Sequence, residues 1–356
     1  MSLIQSPTTQ GEGTHLHTIS IVIPIYQGET TLPSVIDELL PYTEPSRTAR
    51  GTEFQVSEIL LVHDNGPDAS DDTMRALAEA HPVVRPVWLS RNFGQHAATL
   101  AGMASTGGDW IVTMDEDGQH DPKFIADMLD TALTQQASLV YSMARNPPPH
   151  GFVRNLASVG AKRVLSSASG LKNAKDFQSF RLMLGSIGRS VAAYAGPNIY
   201  LDVALGWVTK DVATCPIDLR EEGDRPSGYN YKSLFGHFWR MFLTSGTRGL
   251  RAVSLLGVVA AIAGLVLTVV LVVAKLFFEP SLPSGWPSLM VALLIIGGAI
   301  LISLGMIAEY IGVNVNMAMG KPLYLIVPDP AAGPLGRARA QSGPQAGVEQ
   351  PARRDG

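Results

Sequence analysis

The chain has 356 residues, 46% of them hydrophobic and only 16% charged, with a mean hydropathy of +0.15 and a formal net charge of −4. A soluble globular chain carries roughly a quarter charged residues, so the balance excludes a disordered protein, and the slight acidity speaks against a nucleic-acid binder. The single cysteine, Cys215, excludes an internal disulfide or a zinc ribbon, and the length allows about two domains.

Residues 1–18 are polar, lack the apolar run of a secretory signal and are expected to be disordered. From Ile19 to Ser142, short β-rich runs alternate with helical periodicity. Ile19–Ile25 reads as a buried strand, and the spacing of Leu32, Val35, Ile36 and Leu39 predicts a helix after it. Glu58–Val62 is the second strand, with Ser70 as N-cap to a helix carrying Met74, Leu77 and Ala78. Arg85–Leu89 and Gln95–Ser105 form the next strand and helix. Trp110–Met114 is a fourth strand, followed by a helix from Pro122, where proline suits a first turn. Such alternation predicts an α/β domain with a mainly parallel sheet, helices on both faces and a ligand site outside the carboxyl ends of the strands.

The apolar excess lies near the C-terminus. Val253–Ala274 and Pro287–Ala308 are each free of charge, and at 1.5 Å per residue each reaches about 33 Å, enough for a hydrocarbon core of about 30 Å. Two buried soluble helices are the alternative. The loop between them, Glu279 to Pro287, has turn chemistry and an interfacial Trp286. Basic residues flank the pair: Arg225, Lys232, Arg240, Arg248 and Arg251 before it, Lys321 and four tail arginines after it, which places both ends on the cytoplasmic side. Tyr231–Leu243 reads as an amphipathic helix in the headgroup plane or, alternatively, an ordinary packing helix. The domain plan is a catalytic domain over 19–228, a juxtamembrane region over 229–251, two membrane helices within 252–312, an exit segment over 313–327 and a disordered tail over 328–356.

Two strand ends carry the notable chemistry: His63-Asp64-Asn65-Gly66-Pro-Asp68 after the second strand and Asp115-Glu116-Asp117-Gly118-Gln119 after the fourth. Three adjacent acids repel one another unless a cation neutralises them, and carboxylates with a diphosphate suit Mg²⁺ or Mn²⁺. A solvated turn is the alternative for either motif. His96 and His120 lack spacing partners and read as loop residues; Trp207 and Tyr200 read as core.

In order along the chain stand Ser20-Ile-Val-Ile-Pro-Ile-Tyr26, Leu89-Ser-Arg91-Asn92-Phe93-Gly94, Met114-Asp-Glu-Asp-Gly-Gln-His-Asp-Pro122 and Asp176-Phe-Gln-Ser-Phe-Arg181. Together they resemble the family 2 inverting glycosyltransferases with a GT-A fold, specifically the polyprenyl-phosphate sugar synthases. Gly285-Trp-Pro-Ser-Leu289, Glu309-Tyr-Ile-Gly312 and Lys321-Pro-Leu-Tyr324 resemble the membrane hairpin and exit of bacterial members. The resemblance covers about residues 19–327.

The resemblance implies transfer of one sugar from a nucleotide sugar, UDP-hexose in the favoured reading, to a polyprenyl phosphate at the inner membrane, with inversion and with Mg²⁺ or Mn²⁺. It places Pro24, Tyr26, Glu29 and Asp64 in the nucleotide pocket, Arg91 beside the diphosphate, Asp115 and Asp117 at the metal, and Gln119 near the sugar. Arg145, Arg154 and Ser158 correspond to residues that hold the acceptor phosphate, and Asp176 and Arg181 to residues near sugar and acceptor. Asp176 is assigned to positioning sugar or acceptor, with base catalysis as the alternative, since a phosphate monoester is already mostly a dianion at neutral pH. Relatives further suggest homo-oligomers formed through membrane helices.

The chain departs from the family pattern at His63–Gly66, at Glu116 and Gly118, and by two extra residues between Arg220 and the Ser227–Tyr229 step. The altered turn at Asp64 leaves the base open, so a GDP-mannose-dependent synthase is the alternative. A processive polysaccharide synthase would carry Gln-x-x-Arg-Trp, and here Arg181 is followed by Leu182. A non-catalytic membrane scaffold with the same fold is the remaining rival.

Overall fold

The computed structural model describes residues 15–145, 178–196, 200–220 and 285–334, with isolated positions between 257 and 277. Its strands are β1 (His17–Ile25), β2 (Ser46–Arg47), β3 (Glu53–His63), β4 (Val84–Leu89), β5 (Trp110–Thr113), β6 (Leu139–Ala144), β7 (Arg181–Leu184), β8 (Val212–Ile217) and β9 (Ile326–Val327). They form one sheet in the order β8-β6-β7-β5-β1-β3-β4-β9, with β2 paired to β3. The pairs β5–β1, β1–β3, β3–β4 and β6–β8 are parallel; β7 runs antiparallel between β5 and β6, and β9 antiparallel along β4. The mainly parallel α/β sheet is therefore present, with antiparallel strands at its middle and edge.

β1 and β3 are apolar on both faces because helices cover both sides of the sheet. On one side Ile21, Ile23, Ile59 and Leu61 pack with Leu32, Ile36 and Leu39 of α1 (Leu32–Leu39), Met74 of α2 (Ser70–Ala80), and Ile125 and Met128 of α4 (Phe124–Gln135). On the other, Val22, Leu60 and Val62 meet Ala98 and Ala101 of α3 (Gln95–Ala104), Val191 of α5 (Gly185–Tyr194) and Leu201 of α6 (Leu201–Val208).

Two helix starts differ from expectation. Ala69, not Ser70, is the N-cap of α2; Ser70 lies inside the first turn and its hydroxyl donates to Asp68 at 2.8 Å. Pro122 belongs to the turn before α4, where Phe124 N–H and Ile125 N–H bond back to the Asp121 and Pro122 carbonyls.

Of the expected membrane pair, the first segment falls on residues outside the described set except for isolated positions such as Val259 and Val266, both exposed. The second lies in α7 (Trp286–Ala318), 33 residues and about 50 Å long at 1.5 Å per residue. Counted over described side chains, no helix is long and apolar enough to cross a membrane; several α7 positions, Pro287 and Val291 among them, have side chains outside that set. The described α7 leucines Leu289, Leu293 and Leu301 are about two-thirds exposed. The amphipathic stretch 231–243 and the Ser227–Tyr229 step also lie outside the described residues.

Candidate active site

The loops leaving β1, β3, β4 and β5 meet beyond the carboxyl ends of these parallel strands, tied together by carboxylates that accept backbone N–H groups. Asp64, at the end of β3, is buried; its Oδ1 accepts Phe93 N–H at 2.7 Å and its Oδ2 accepts Gly94 N–H at 2.8 Å. Burial pushes this carboxyl above its ordinary value, against the two amide bonds and the nearby Arg91, which pull it down. Asp64 thus latches the loop after β4 to the end of β3. The turn after it needs special backbone: Asn65 has φ 53°, a region that Asn tolerates. A Cβ on Gly66 would stand 1.6 Å from the Tyr26 carbonyl oxygen. Here the turn after β3 and the loop after β1 touch.

Glu116 makes the second tie. Its Oε2 accepts Tyr26 N–H at 2.9 Å and its Oε1 accepts Gln27 N–H at 3.0 Å, so the middle acid of the triplet secures the loop after β1. Glu29 and Asp68 close the third: Glu29 N–H donates to Asp68 Oδ2 at 3.1 Å, and Ala69 N–H donates to Glu29 Oε2 at 3.2 Å.

Asp115 is oriented by three neighbours. Gln95, the first residue of α3, donates to Oδ1 at 2.7 Å; Ser179 Oγ donates to Oδ2 at 2.5 Å; and Asp115 N–H donates to His120 Nδ1 at 3.1 Å. That last bond sets the His120 proton on Nε2 when the ring is neutral. His120 is buried and stacks on Phe180, centroids 4.9 Å apart. Asp117 Oδ1 accepts Gln119 N–H at 3.0 Å. The Gln119 carbonyl accepts Arg220 N–H at 3.3 Å, while the Arg220 side chain bonds Glu38 and Asp121. The donor set at Asp115 and Asp117 is oxygen-only, as hard divalent cations require. Among the described residues no three His, Cys, Asp or Glu side chains converge on a metal position. Such a set fits a cation held by one or two carboxylates and completed by substrate phosphates and water.

Pro24 is buried in β1, one residue before its end and opposite Val62 of β3. Tyr26 is exposed, 44% accessible, and Arg91 is exposed with its guanidinium 4.0 Å from the Phe93 ring. Arg181 is buried in β7 and ion-paired with Asp202 of α6, whose Oδ1 also accepts Tyr141 Oη–H at 2.9 Å. Burial pulls the guanidinium down, and the Asp202 charge more than restores it. Arg181 therefore braces the sheet against α6. Arg145 directly follows β6, with an exposed side chain 3.7 Å from Asp218. Arg154, Ser158 and Asp176 lie outside the described residues; of the residues expected at an acceptor phosphate, Arg145 is the one described.

Sequence reasoning gives no site role to Gln95, Glu116, His120 or Ser179: Gln95 shows only as the polar residue that opens a helix after Gly94, Glu116 only as the middle acid of the triplet, His120 only as a loop residue, and Ser179 only within the Asp176–Arg181 motif. His96, expected in a loop, lies in α3 with its ring centroid 4.0 Å from that of Tyr200. Trp207, expected in the core, is 53% exposed in the last turn of α6.

Residues 20–183 match the model of glycosyl transferase family 2. The chain is 28% identical over 321 residues to an undecaprenyl-phosphate 4-deoxy-4-formamido-L-arabinose transferase of Salmonella choleraesuis, covering 86% of this chain and 92% of that protein. The protein of the same description from Yersinia enterocolitica is 28% identical over 325 residues, covering 88% and 94%. Among solved structures, glucosyl-3-phosphoglycerate synthase of Mycobacterium tuberculosis is similar at 20% identity and a TM-score of 0.47, covering 65% of this chain and 80% of that one. The match over residues 20–183 spans β1 to β7 and the strand-end loops just described, so that the part of the chain that builds this site is similar to glycosyl transferase family 2.

Proposed function

We propose that the protein transfers one sugar from a nucleotide sugar to a polyprenyl phosphate at a membrane surface, with inversion at the anomeric carbon. The observation that carries this reading is the cross-tied set of strand-end loops: Asp64 on Phe93–Gly94, Glu116 on Tyr26–Gln27, and Gln95 with Ser179 on Asp115. It presents Tyr26, Arg91, Asp115 and Asp117 at one edge of a parallel sheet, where α/β folds bind ligands. The acceptor class follows from the curated relatives named above.

In this reading Tyr26 and the Glu29–Asp68 turn receive the nucleoside, and the exposed Arg91 guanidinium holds the diphosphate. Asp115 and Asp117 would hold Mg²⁺ or Mn²⁺, with Asp117 the direct ligand as the family resemblance implies and Asp115, oriented by Gln95 and Ser179, beside it. When bound, such a cation supplies Lewis-acid stabilisation of the charge on the departing diphosphate. Arg145, together with Arg154 and Ser158, is assigned to the acceptor phosphate. One phosphate oxygen forms a bond to the anomeric carbon from the face opposite the diphosphate as the sugar–diphosphate bond breaks, and the electron pair leaves with the nucleotide. The acceptor is a dianion at neutral pH, so no side chain need remove a proton. Asp176 is assigned to positioning sugar or acceptor, and Arg181 acts through Asp202 and Tyr141 as a brace.

Membrane attachment belongs to the same proposal. It is supported by the charge-free run Pro287–Ala308, the exposed leucines of α7 and the basic residues that flank the two apolar stretches in the sequence. UDP-hexose is the favoured donor. The test is mass spectrometry of lipids from detergent-purified protein given polyprenyl phosphate, Mg²⁺ or Mn²⁺ and a panel of UDP- and GDP-sugars. One added sugar from one donor, lost in Asp117→Ala, is expected. Nucleotide-sugar hydrolysis with no lipid product, or no turnover while a control enzyme uses the same lipid, would overturn the acceptor assignment.

A further inference from the structure

The segment after α7 does not simply leave the molecule. Gly320, at φ +63°, turns the chain. Leu323 and Tyr324 then pack against the core beneath α3, in company with Phe93. The Leu325 carbonyl accepts Ser90 N–H at 3.0 Å, and Ile326 and Val327 pair with Leu89 and Trp88. Asp329 accepts from Arg75 of α2, Nε at 3.0 Å to Oδ2 and Nη2 at 3.0 Å to Oδ1. The Arg75 guanidinium in turn lies 4.9 Å from the Trp88 ring. Without this return β4 would be a sheet edge with unpaired backbone groups.

Ser90 immediately precedes Arg91, and Gly94 ends the same loop. Asp64 holds the far end through Phe93 and Gly94; Leu325 holds the near end through Ser90. Arg91, the exposed cation of the site, is strung between these two fastenings. The paired strand is only two residues long, so its hold depends on Leu323 and Tyr324 on one side and the Arg75–Asp329 pair on the other.

We propose that residues 321–329 are a strap that positions the Ser90–Gly94 loop, so that nucleotide affinity at the site depends on the chain emerging from α7. Arg75 and Asp329 are positioning residues in this scheme. The nucleotide part rests on the donor-site reading above; the mechanical part does not.

The experiment uses the full chain in detergent, as wild type, Asp329→Ala and Val327→Pro. Hydrogen–deuterium exchange is read over residues 88–94, and UDP and GDP are titrated in the presence of Mg²⁺. Loss of the charge-assisted pair in Asp329→Ala is expected to speed exchange at Ser90, and to weaken nucleotide binding, by about tenfold or more, with the thermal midpoint nearly unchanged. In turnover the donor KM rises while kcat at saturating donor stays within about twofold, a split that a loss of folded protein would not give. Wild-type exchange over Ser90–Gly94 in both folded variants would overturn the strap, as would a fall in kcat with KM unchanged. A wild-type chain that binds neither UDP nor GDP would overturn the donor-site reading instead, while exchange at Ser90 in the same samples would still decide the strap.

Discussion

Replacing Asp64 by Asn separates the stability of this fold from the order of its site. The carboxylate accepts two amide N–H groups, from Phe93 and Gly94, at 2.7 and 2.8 Å. Asn can accept only one of them through its carbonyl, and its NH₂ must face the other donor. One charge-assisted bond, about 1.5–3 kcal/mol, is lost and the other falls to neutral strength, about 1 kcal/mol, so the loop is released by about 2–5 kcal/mol. At about 1.4 kcal/mol per decade, the loop's held state loses a factor of roughly thirty to a few thousand. Global stability moves the other way. Burial raises the Asp64 carboxyl above its ordinary value, so ionisation at neutral pH is a cost to the fold that Asn lacks. A raised carboxyl contributes stability that is present below the unfolded pKa of about 4 and lost as pH rises through the folded value. Asp64→Asn should therefore keep a near-wild-type thermal midpoint at pH 7 and compare less favourably with wild type as pH falls. Exchange at Phe93 and Gly94 should accelerate and nucleotide affinity should drop. A variant with wild-type exchange at both amides, or one that melts far earlier at pH 7, would refute this account.

Gly66→Ala should destroy nucleotide binding in a protein that still folds, because the new Cβ drives the Tyr26 carbonyl, 1.6 Å away, out of the site; an unchanged UDP or GDP titration would contradict this. Asp202→Ala strands the buried Arg181 charge and should cost about 3–5 kcal/mol in denaturant unfolding, whereas Tyr141→Phe removes one hydrogen bond and should cost about 1 kcal/mol. Equal effects would mean that Asp202 and Tyr141 do not act as described. Burial holds the His63 imidazole below its ordinary value, with Asp68, Asp71 and Arg75 facing it and its Nε2 without a hydrogen-bond partner. Its neutral form supports the fold fully above about pH 6.5, and that support is lost, at up to about 1.4 kcal/mol per pH unit, as pH falls toward the folded value. Thermal melts of His63→Phe between pH 8 and 5.5 should show a flatter pH dependence than wild type; the same slope in both would rule this out.

Local pattern exposed a great deal. Four strands and four helices of the domain's first half announce themselves through apolar runs and periodicity, since a sheet covered on both faces needs continuous apolar strands and its helices need one apolar stripe. Asp115 and Asp117 were legible because carboxylates after an apolar strand are conspicuous, and Asp64 because it ends another. Periodicity also placed Gln95 correctly at the start of a helix.

Partner choice across the sheet was not legible. Nothing within His63–Gly66 states that both oxygens of Asp64 serve Phe93 and Gly94, nor does the triplet state that Glu116 turns toward Tyr26 and Gln27. These bonds join residues far apart in sequence, and their geometry exists only once parallel strands bring their ends together. The same holds for Arg181, which as a motif residue invites a catalytic role and as a buried side chain is paired with Asp202 on another helix. Asp329 falls within the tail expected to be disordered over 328–356, yet it binds Arg75, 254 positions away. By itself the sequence determined the alternation, the apolar C-terminal runs and the acids at strand ends, because each depends on neighbours within a turn or a strand. The tertiary structure alone decided which carboxylate holds which loop, because a buried acid must satisfy its oxygens with whatever donors the fold delivers.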